Sequence, residues 1–172
     1  PGKTLNEIGK ILQPIDEEIT IYSAENQILF DMGNCKVVSR LLEGEFLNYR
    51  SSITSDYETK IRINTKEFLS SIERASLIIT SEERRYPVRF NISDDKMIIT
   101  SATEVGAVKE EIKVEMLGNK LDIGFNPRYF MDALKVIDDE LIDVFFATSL
   151  GPCLIKPVDD EKFIYLIAAV RR

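Results

Sequence analysis

Residues 121–137, LDIGFNPRYFMDALKVI, predict a short strand that runs directly into a helix. Apolar residues occupy alternate positions of the strand, as expected when one face is buried: Leu121, Ile123 and Phe125. Asn126 is a favoured helix-capping residue, and Pro127 suits the first helical position. The helix then carries one apolar stripe: Phe130, Leu134 and Ile137. This strand–cap–helix pattern sets the fold of the chain.

The same pattern occurs earlier in the sequence. Residues 60–63 alternate as a strand, Asn64 is a cap, and Glu67 completes an N-x-x-E capping box. The following helix again has an apolar stripe: Phe68, Ile72 and Ala75. The caps at positions 64 and 126 are 62 residues apart, and one more such step back reaches a third helix start near Gly2. The repeating unit is therefore a helix followed by strands.

Three strand-like runs follow each helix. In the first unit we expect a helix over residues 3–13, which ends before Pro14. The predicted strands are residues 19–22, 28–30 and 36–42, then 88–92, 97–100 and 108–114, and finally 142–146, 153–155 and 163–170. We expect the strands of the second and third units to pair into one continuous curved antiparallel arrangement, with their helices side by side.

The fold class is therefore α+β, built from about three repeated helix-plus-antiparallel-strand units. Residues 43–53 have no clear period and are expected to be a docked connector. We expect half a domain plus this connector over residues 1–54, and a complete domain over residues 55–172. Because the sequence opens almost directly on a helix, we also expect it to be a fragment of a longer protein.

Composition restricts the class of function. The chain has 172 residues, a net charge of −7 and no apolar run of the roughly 18 residues that a membrane span needs. We therefore expect a cytoplasmic protein without a membrane partner, and one that nucleic acid does not coat over its whole surface. Its two cysteines, Cys35 and Cys153, are expected to be small buried apolar residues in a reducing compartment.

Catalytic patterns are missing from the sequence. It contains no histidine, which removes Ser-His and Cys-His nucleophiles and most zinc chemistry, and it has no glycine-rich phosphate loop. Three acidic pairs fall at predicted turns, where aspartate tolerates tight backbone geometry: Asp94-Asp95, Asp138-Asp139 and Asp159-Asp160. We expect neither an enzyme nor a metal or cofactor site.

Six basic residues lie off the apolar stripes of the three helices: Lys3, Lys10, Lys66, Arg74, Arg128 and Lys135. They are either ordinary solvated charges or, because the repeat places the same face three times, one surface that attracts phosphates without reading bases. A second feature is residues 165–170, which are apolar on both faces. They form either a central buried strand or a strand whose end lines a groove for a partner peptide.

The chain resembles the C-terminal part of the bacterial DNA polymerase III beta subunit family, the sliding clamps. The resemblance rests on residues 40–50 (RLLEGEFLNYR), 123–129 (IGFNPRY) and 165–171 (YLIAAVR). In that family each domain holds two helix-plus-strand units, three domains make a protomer, and two protomers close a ring. The resemblance implies that this chain comprises the second half of the middle domain and all of the third.

The resemblance also implies a non-catalytic processivity factor that encircles double-stranded DNA and binds linear peptides of the polymerase, the clamp loader and repair proteins. The six basic helix residues would then face DNA. The matching peptide-pocket positions are Leu47, Ser51, Ser52, Pro152, Leu166, Ile167, Ala168, Ala169, Val170 and Arg171. Leu47, Ser51 and Ala168-Ala169 replace a usual proline, an arginine, and a larger apolar residue followed by proline, so the pocket would be roomier and less basic.

Leu77 and Ile78 match the ring contact of the homodimeric family. Without a first domain, the chain is expected to be mainly monomeric. Two other functions remain open: a peptide-binding adaptor on the same repeats that does not encircle DNA, and an enzyme of unfamiliar type.

Overall fold

The computed structural model describes residues 1–12, 18–46, 48–53, 56–79 and 87–170, with only the backbone described at positions 51 and 52. The chain divides into two units, Pro1–Asn48 and Tyr49–Arg172. This division lies N-terminal to the domain boundary expected after residue 54.

The first unit is one helix and one small sheet. It contains α1 (Gly2–Ile11), β1 (Thr20–Ser23), β2 (Gln27–Asp31) and β3 (Lys36–Arg40), with the strands in that order and antiparallel. The Thr4 and Ser39 hydroxyl oxygens lie 2.8 Å apart and link the helix to β3. The predicted helix and three strands are confirmed, although β3 ends at Arg40 and the expected last helical residue, Gln13, lies outside the described residues.

Within its described residues, the second unit contains two α-helices, nine strands and a short 3₁₀ helix at Tyr49–Ser52. Its elements are β4 (Thr59–Asn64), α2 (Thr65–Ser76), β5 (Val88–Ser93), β6 (Lys96–Thr103), β7 (Gly106–Lys113), β8 (Glu115–Gly118), β9 (Leu121–Phe125), α3 (Pro127–Leu134), β10 (Leu141–Phe146), β11 (Cys153–Pro157) and β12 (Tyr165–Ile167). The strand β8 was not predicted.

The strands of the second unit form two antiparallel sheets and not the one continuous arrangement that the sequence predicts. A five-stranded sheet has the order β12-β11-β10-β4-β8, and a four-stranded sheet has the order β7-β6-β5-β9. The chain passes from one sheet to the other at Val114, whose N–H donates to the Asp95 carbonyl (3.0 Å). A second link is the isolated bridge between Phe125 and Ala169.

Both predicted helix caps are confirmed. The Asn64 side-chain oxygen accepts the Glu67 N–H at 3.0 Å, and that of Asn126 accepts the Arg128 N–H at 3.0 Å. Each asparagine therefore satisfies one backbone donor that a helix start leaves free. The helices begin where the sequence pattern predicts them.

The core of the second unit lies between the helices and the sheets. The residues of both predicted stripes are buried: Phe68, Ile72, Ala75, Phe130, Leu134 and Ile137. The rings of Phe68 and Phe130 are 5.5 Å apart, which confirms that the two helices lie side by side. Phe90, Phe125 and Phe146 complete a cluster of edge-on and tilted rings, an arrangement that aromatic side chains favour. Ile137 is buried although α3 ends at Leu134.

The C-terminal strand lies at the edge of its sheet. Of the two alternatives for residues 165–170, the central buried strand is wrong, since β12 pairs only with β11 in the five-stranded sheet and spans three residues. Leu166 is 40% exposed and Ile167 is 5% exposed, so successive side chains point to opposite sides. The apolar run therefore has one buried and one accessible face.

The structure confirms some of the predicted aspartate turns and one of the two predicted buried cysteines. Asp94 and Asp95 form a two-residue turn between paired strands with φ of 52° and 58°, and Asp159 has φ of 59°. Cys153 is buried, which raises the pKa of its thiol, whereas Cys35 is only partly buried. Within the described ranges, no helix is both long and apolar enough to cross a membrane.

Candidate functional site

An apolar groove of about 420 Å³ opens in the second unit between α3 and β12. Its lining residues are Tyr129, Asp132, Ala133, Tyr165, Leu166, Ile167 and Ala168. The helix contributes positions 129, 132 and 133, because residues three and four apart share one face. The strand contributes the exposed Leu166 and Ala168, while the Ile167 side chain continues into the core.

Three of the predicted pocket residues line this groove: Leu166, Ile167 and Ala168. The next two residues have a different position. Ala169 bridges to Phe125, and the Val170 N–H donates to the Gly124 carbonyl at 2.8 Å. These contacts attach residues 169 and 170 to β9 and so help to hold β12 beside α3.

The other predicted pocket positions are not in the groove. Pro152 is half-buried in the loop before β11 and is not among the lining residues. Leu47 and Arg171 lie outside the described residues, as do the side chains of Ser51 and Ser52.

Four lining residues were missed from the sequence: Tyr129, Asp132, Ala133 and Tyr165. Tyr129 offered a signal, because an aromatic residue beside the buried stripe at Phe130 must face another side of the helix; it is 55% exposed. The Asp132 carboxylate lies 3.9 Å from Arg128 Nε, with both side chains mostly exposed. The groove is thus an apolar surface with one carboxylate at its rim.

This geometry suits an apolar side chain of an extended ligand. The groove offers mainly carbon surface, and β12 is the outermost strand of its sheet. An extended peptide beside such a strand gains main-chain hydrogen bonds, while alternate side chains enter a pocket.

The six basic candidates are all exposed on or beside the helices. Lys3 and Lys10 are on α1, Lys66 and Arg74 on α2, Arg128 on α3, and Lys135 is the C-terminal cap of α3. Their placement on helix surfaces follows from the apolar stripes, which turn the remaining faces outward.

Several of these cations are held by carboxylates. Lys10 pairs with Glu7 at 2.7 Å and Lys135 with Glu73 of α2 at 3.4 Å. Lys3 and Lys66 have no ion-pair partner among the residues that the structure describes. Carboxylates therefore neutralise part of the charge of these helix cations.

Arg74 pairs with a carboxylate on a strand, whereas Lys135 pairs with one on a helix. The Arg74 guanidinium pairs with Glu110 of β7 at 2.6 Å and also donates to the Ser71 hydroxyl at 3.0 Å. The hydrogen bond with Glu110 raises the pKa of Arg74, which stays cationic. Arg74 thus extends towards the four-stranded sheet.

Leu77 and Ile78 follow the last residue of α2. Leu77 is 80% exposed and Ile78 is half-buried. A leucine this exposed is typical of a surface that contacts another protein when neighbouring residues are also apolar. No cluster of three His, Cys, Asp or Glu residues that could hold a metal occurs within the described ranges.

Comparison with known proteins agrees with this arrangement. The family described as "DNA polymerase III beta subunit, C-terminal domain" matches residues 50–171, and its central-domain counterpart matches residues 1–48. The beta sliding clamp of Staphylococcus epidermidis is 38% identical over 99% of this chain and 46% of its own length. The chain thus spans about half the length of the curated relatives it matches.

Solved structures give the same result. The sliding clamp of Bacillus subtilis superposes with a TM-score of 0.90 at 39% identity, over 100% of this chain and 46% of that one. A clamp of Bartonella birtlesii bound to griselimycin superposes with a TM-score of 0.90 at 25% identity, over 100% of this chain and 46% of that one. The chain belongs to the DNA polymerase III beta subunit family, the sliding clamps, and matches its central and C-terminal domains.

Proposed function

We propose that this chain forms the second half of the central domain and the complete C-terminal domain of a ring that encircles double-stranded DNA. The ring is a non-catalytic processivity factor that tethers the replicative polymerase. The family match over both regions, residues 1–48 and 50–171, is the observation that carries this proposal. In this role the protein would act on the chromosome, in the cytoplasm.

DNA is held in this proposal by topology and by weak contacts to phosphates. The exposed helix cations supply those contacts without reading bases. The overall charge of −7 is compatible with this role, since a ring that slides needs local positive charge and not tight binding over its whole surface. Lys3 and Lys66 are the readiest contacts, because no described carboxylate competes for them.

The groove beside β12 is the docking site for linear peptides of the polymerase, the clamp loader and repair proteins. Its apolar lining supports this assignment. The Bartonella birtlesii relative bound to griselimycin supports ligand binding within this family. Leu47, Ser51, Ser52, Pro152 and Arg171 remain proposed contributors, and Leu77 and Ile78 remain the proposed ring contact of a homodimer.

The peptide assignment is tested with a pair of matched variants. Ala168→Asp places a carboxylate in the groove, where its desolvation against an apolar peptide side chain costs about 3 kcal/mol, or a roughly hundredfold loss of affinity. Ile167→Asp instead places a carboxylate in the core, so it should lower the melting temperature strongly. A fluorescent peptide from the replicative polymerase is titrated into each variant, and each is melted in parallel.

The expected result is that Ala168→Asp loses peptide binding and melts close to the unmodified chain. Normal peptide binding by Ala168→Asp would mean that the peptide binds elsewhere and that β12 has only a structural role.

A further inference from the structure

The outer face of the five-stranded sheet carries cationic and aromatic residues across three neighbouring strands. Lys60 of β4 is opposite Phe145 of β10, and Asp143 of β10 is opposite both Arg62 of β4 and Lys156 of β11. The residues that alternate with them are completely buried: Ile61, Val144 and Ile155. Lys60, Arg62, Phe145 and Lys156 therefore share the side that faces away from the core. Tyr57, just before β4, contacts the Phe145 ring, and we name these five residues the outer patch.

Two aromatic rings form the centre of the outer patch. The ring centroids of Tyr57 and Phe145 are 4.6 Å apart. Lys60 Nζ lies 5.2 Å from the Phe145 centroid, and Lys156 Nζ lies 5.5 Å from it and 5.9 Å from that of Tyr57. An ammonium group therefore stands on each side of the ring pair, within the range of cation–π attraction.

The charges of the outer patch are only partly neutralised. The buried Asp143 carboxylate accepts from Arg62 Nε at 2.9 Å and lies 2.7 Å from Lys60 Nζ, so one carboxylate serves two cations. Lys156 has no ion-pair partner among the residues that the structure describes. The patch thus combines three cations with one carboxylate in a chain whose net charge is −7.

A concavity of about 380 Å³ adjoins the outer patch. Its lining residues are Lys60, Arg62, Asp95, Glu115, Met116 and Leu117. Leu117 is 69% exposed and provides apolar surface beside the two cations. Apolar and cationic groups thus occur together on this face.

We propose that the outer patch binds a short acidic linear segment of a partner protein, in which aspartate or glutamate flanks an aromatic or apolar residue. The partner's carboxylate binds Lys156, and its apolar residue packs on Tyr57 and Phe145. This site is on the opposite side of the sheet from the core and helices, and it does not depend on the proposed clamp function.

The charge pattern favours an acidic peptide over nucleic acid. Asp95 and Glu115 lie at the rim of the adjoining concavity, and Asp159 is close enough to raise the pKa of Arg62 after the larger contribution of the Asp143 hydrogen bond. A nucleic acid strand, with a phosphate at every nucleotide, would meet these carboxylates. A peptide with one or two carboxylates needs only the aromatic neighbours of Lys156 and its ammonium group, for which the described part of the chain offers no carboxylate partner.

The proposal is tested by titrating the ¹⁵N-labelled chain with the peptide acetyl-Asp-Asp-Phe-Asp-Asp-amide and following the backbone amide signals. We expect shifts confined to β4, β10 and β11, and binding that weakens as salt is added. Lys156→Glu should weaken binding at least about tenfold, because an attraction becomes a repulsion. The matched control is Lys113→Glu, which makes the same charge change at an exposed lysine on β7 and should bind like the unmodified chain.

Lys156→Gln removes the charge without reversing it and tests the same point if the glutamate variant is unstable. The proposal would be overturned if Lys156→Glu, Lys156→Gln and Lys113→Glu bound the acidic peptide with equal affinity. Amide signal shifts outside the outer patch would also overturn it. So would tighter binding of oligothymidylate than of the acidic peptide to the same residues.

Discussion

Asp143 is the only charged residue that is buried within the described ranges, with 4% exposure. A buried carboxylate is stable only when it is paired and hydrogen-bonded, and here Arg62 and Lys60 supply both. Burial alone would raise the pKa of Asp143, but the hydrogen bonds from Arg62 and then Lys60 outweigh it and keep this pKa below its ordinary value.

This pairing predicts how stability depends on pH. Because the pKa of Asp143 is lower in the folded state, its stabilising effect is present above the unfolded pKa, about 3.9, and is lost as pH falls through the folded pKa. Asp143→Asn should therefore lower the free energy of unfolding by about 1–3 kcal/mol at pH 7 and by less at about pH 3. Urea unfolding at the two pH values measures this difference.

The matched control is Asp122→Asn, which removes an exposed ion pair with Arg89. We expect a change within about 0.5 kcal/mol, since exposed pairs contribute little. An Asp143→Asn deficit that is the same at both pH values would contradict the assigned ionisation.

At the scale of single elements, β8 depends on one glycine. Gly118 has φ of 102°, and a Cβ atom there would lie 2.0 Å from the Glu58 carbonyl oxygen. That carbonyl also accepts the Asn119 N–H at 3.0 Å, so it cannot move away freely. Only glycine fits where β8 ends beside β4.

Gly118→Ala should lower the free energy of unfolding by at least about 3 kcal/mol, from backbone strain together with the steric clash. Gly33→Ala is the control, because Gly33 also has a positive φ (77°) but open space around its Cβ position. It should lose only about 1 kcal/mol, from backbone strain alone. Each variant is followed by urea unfolding in the transition of its own unit, and equal losses would contradict the role of the Glu58 contact.

Local elements were predictable because their signals are local. The caps at Asn64 and Asn126 and the alternating strands need only neighbouring residues, and the structure has them where the pattern predicts. The strand β8 was missed because Glu115 follows Val114 without any turn residue. The change of sheet there depends on Asp95, which is distant in sequence and holds both the Val114 and the Met116 N–H groups.

The candidate site was less predictable than the fold. Alternation predicts Leu166, Ala168 and Val170 on the groove face and Ile167 and Ala169 on the other. The structure agrees for Leu166, Ala168 and Ile167, but Val170 donates to Gly124 and does not line the groove. Which helix face lies opposite them depends on how α3 packs, and a single sequence does not contain that information. The sequence indicates that Tyr129 faces away from the core, but the position of Tyr129 and Asp132 beside β12 emerges only from the three-dimensional arrangement.

At the scale of the whole molecule, the repeat accounts for the distribution of charge. The stripes of α2 and α3 are buried, so the basic residues of these helices are exposed, while carboxylates such as Glu73 and Glu110 restrain some of them. In the proposed ring this chain forms the second half of the central domain and the whole C-terminal domain. Encirclement is a property of the closed ring and is measured on the complete polypeptide.

The most direct measurement of the central claim is retention on DNA. The complete polypeptide is loaded onto closed circular DNA, and the bound fraction is followed before and after a restriction enzyme linearises the circle. The proposed clamp should remain on the circle and dissociate after linearisation, because its ends allow a sliding ring to escape. Equal release from circular and linear DNA, with peptide binding intact, would contradict encirclement and favour a peptide-binding adaptor on the same fold.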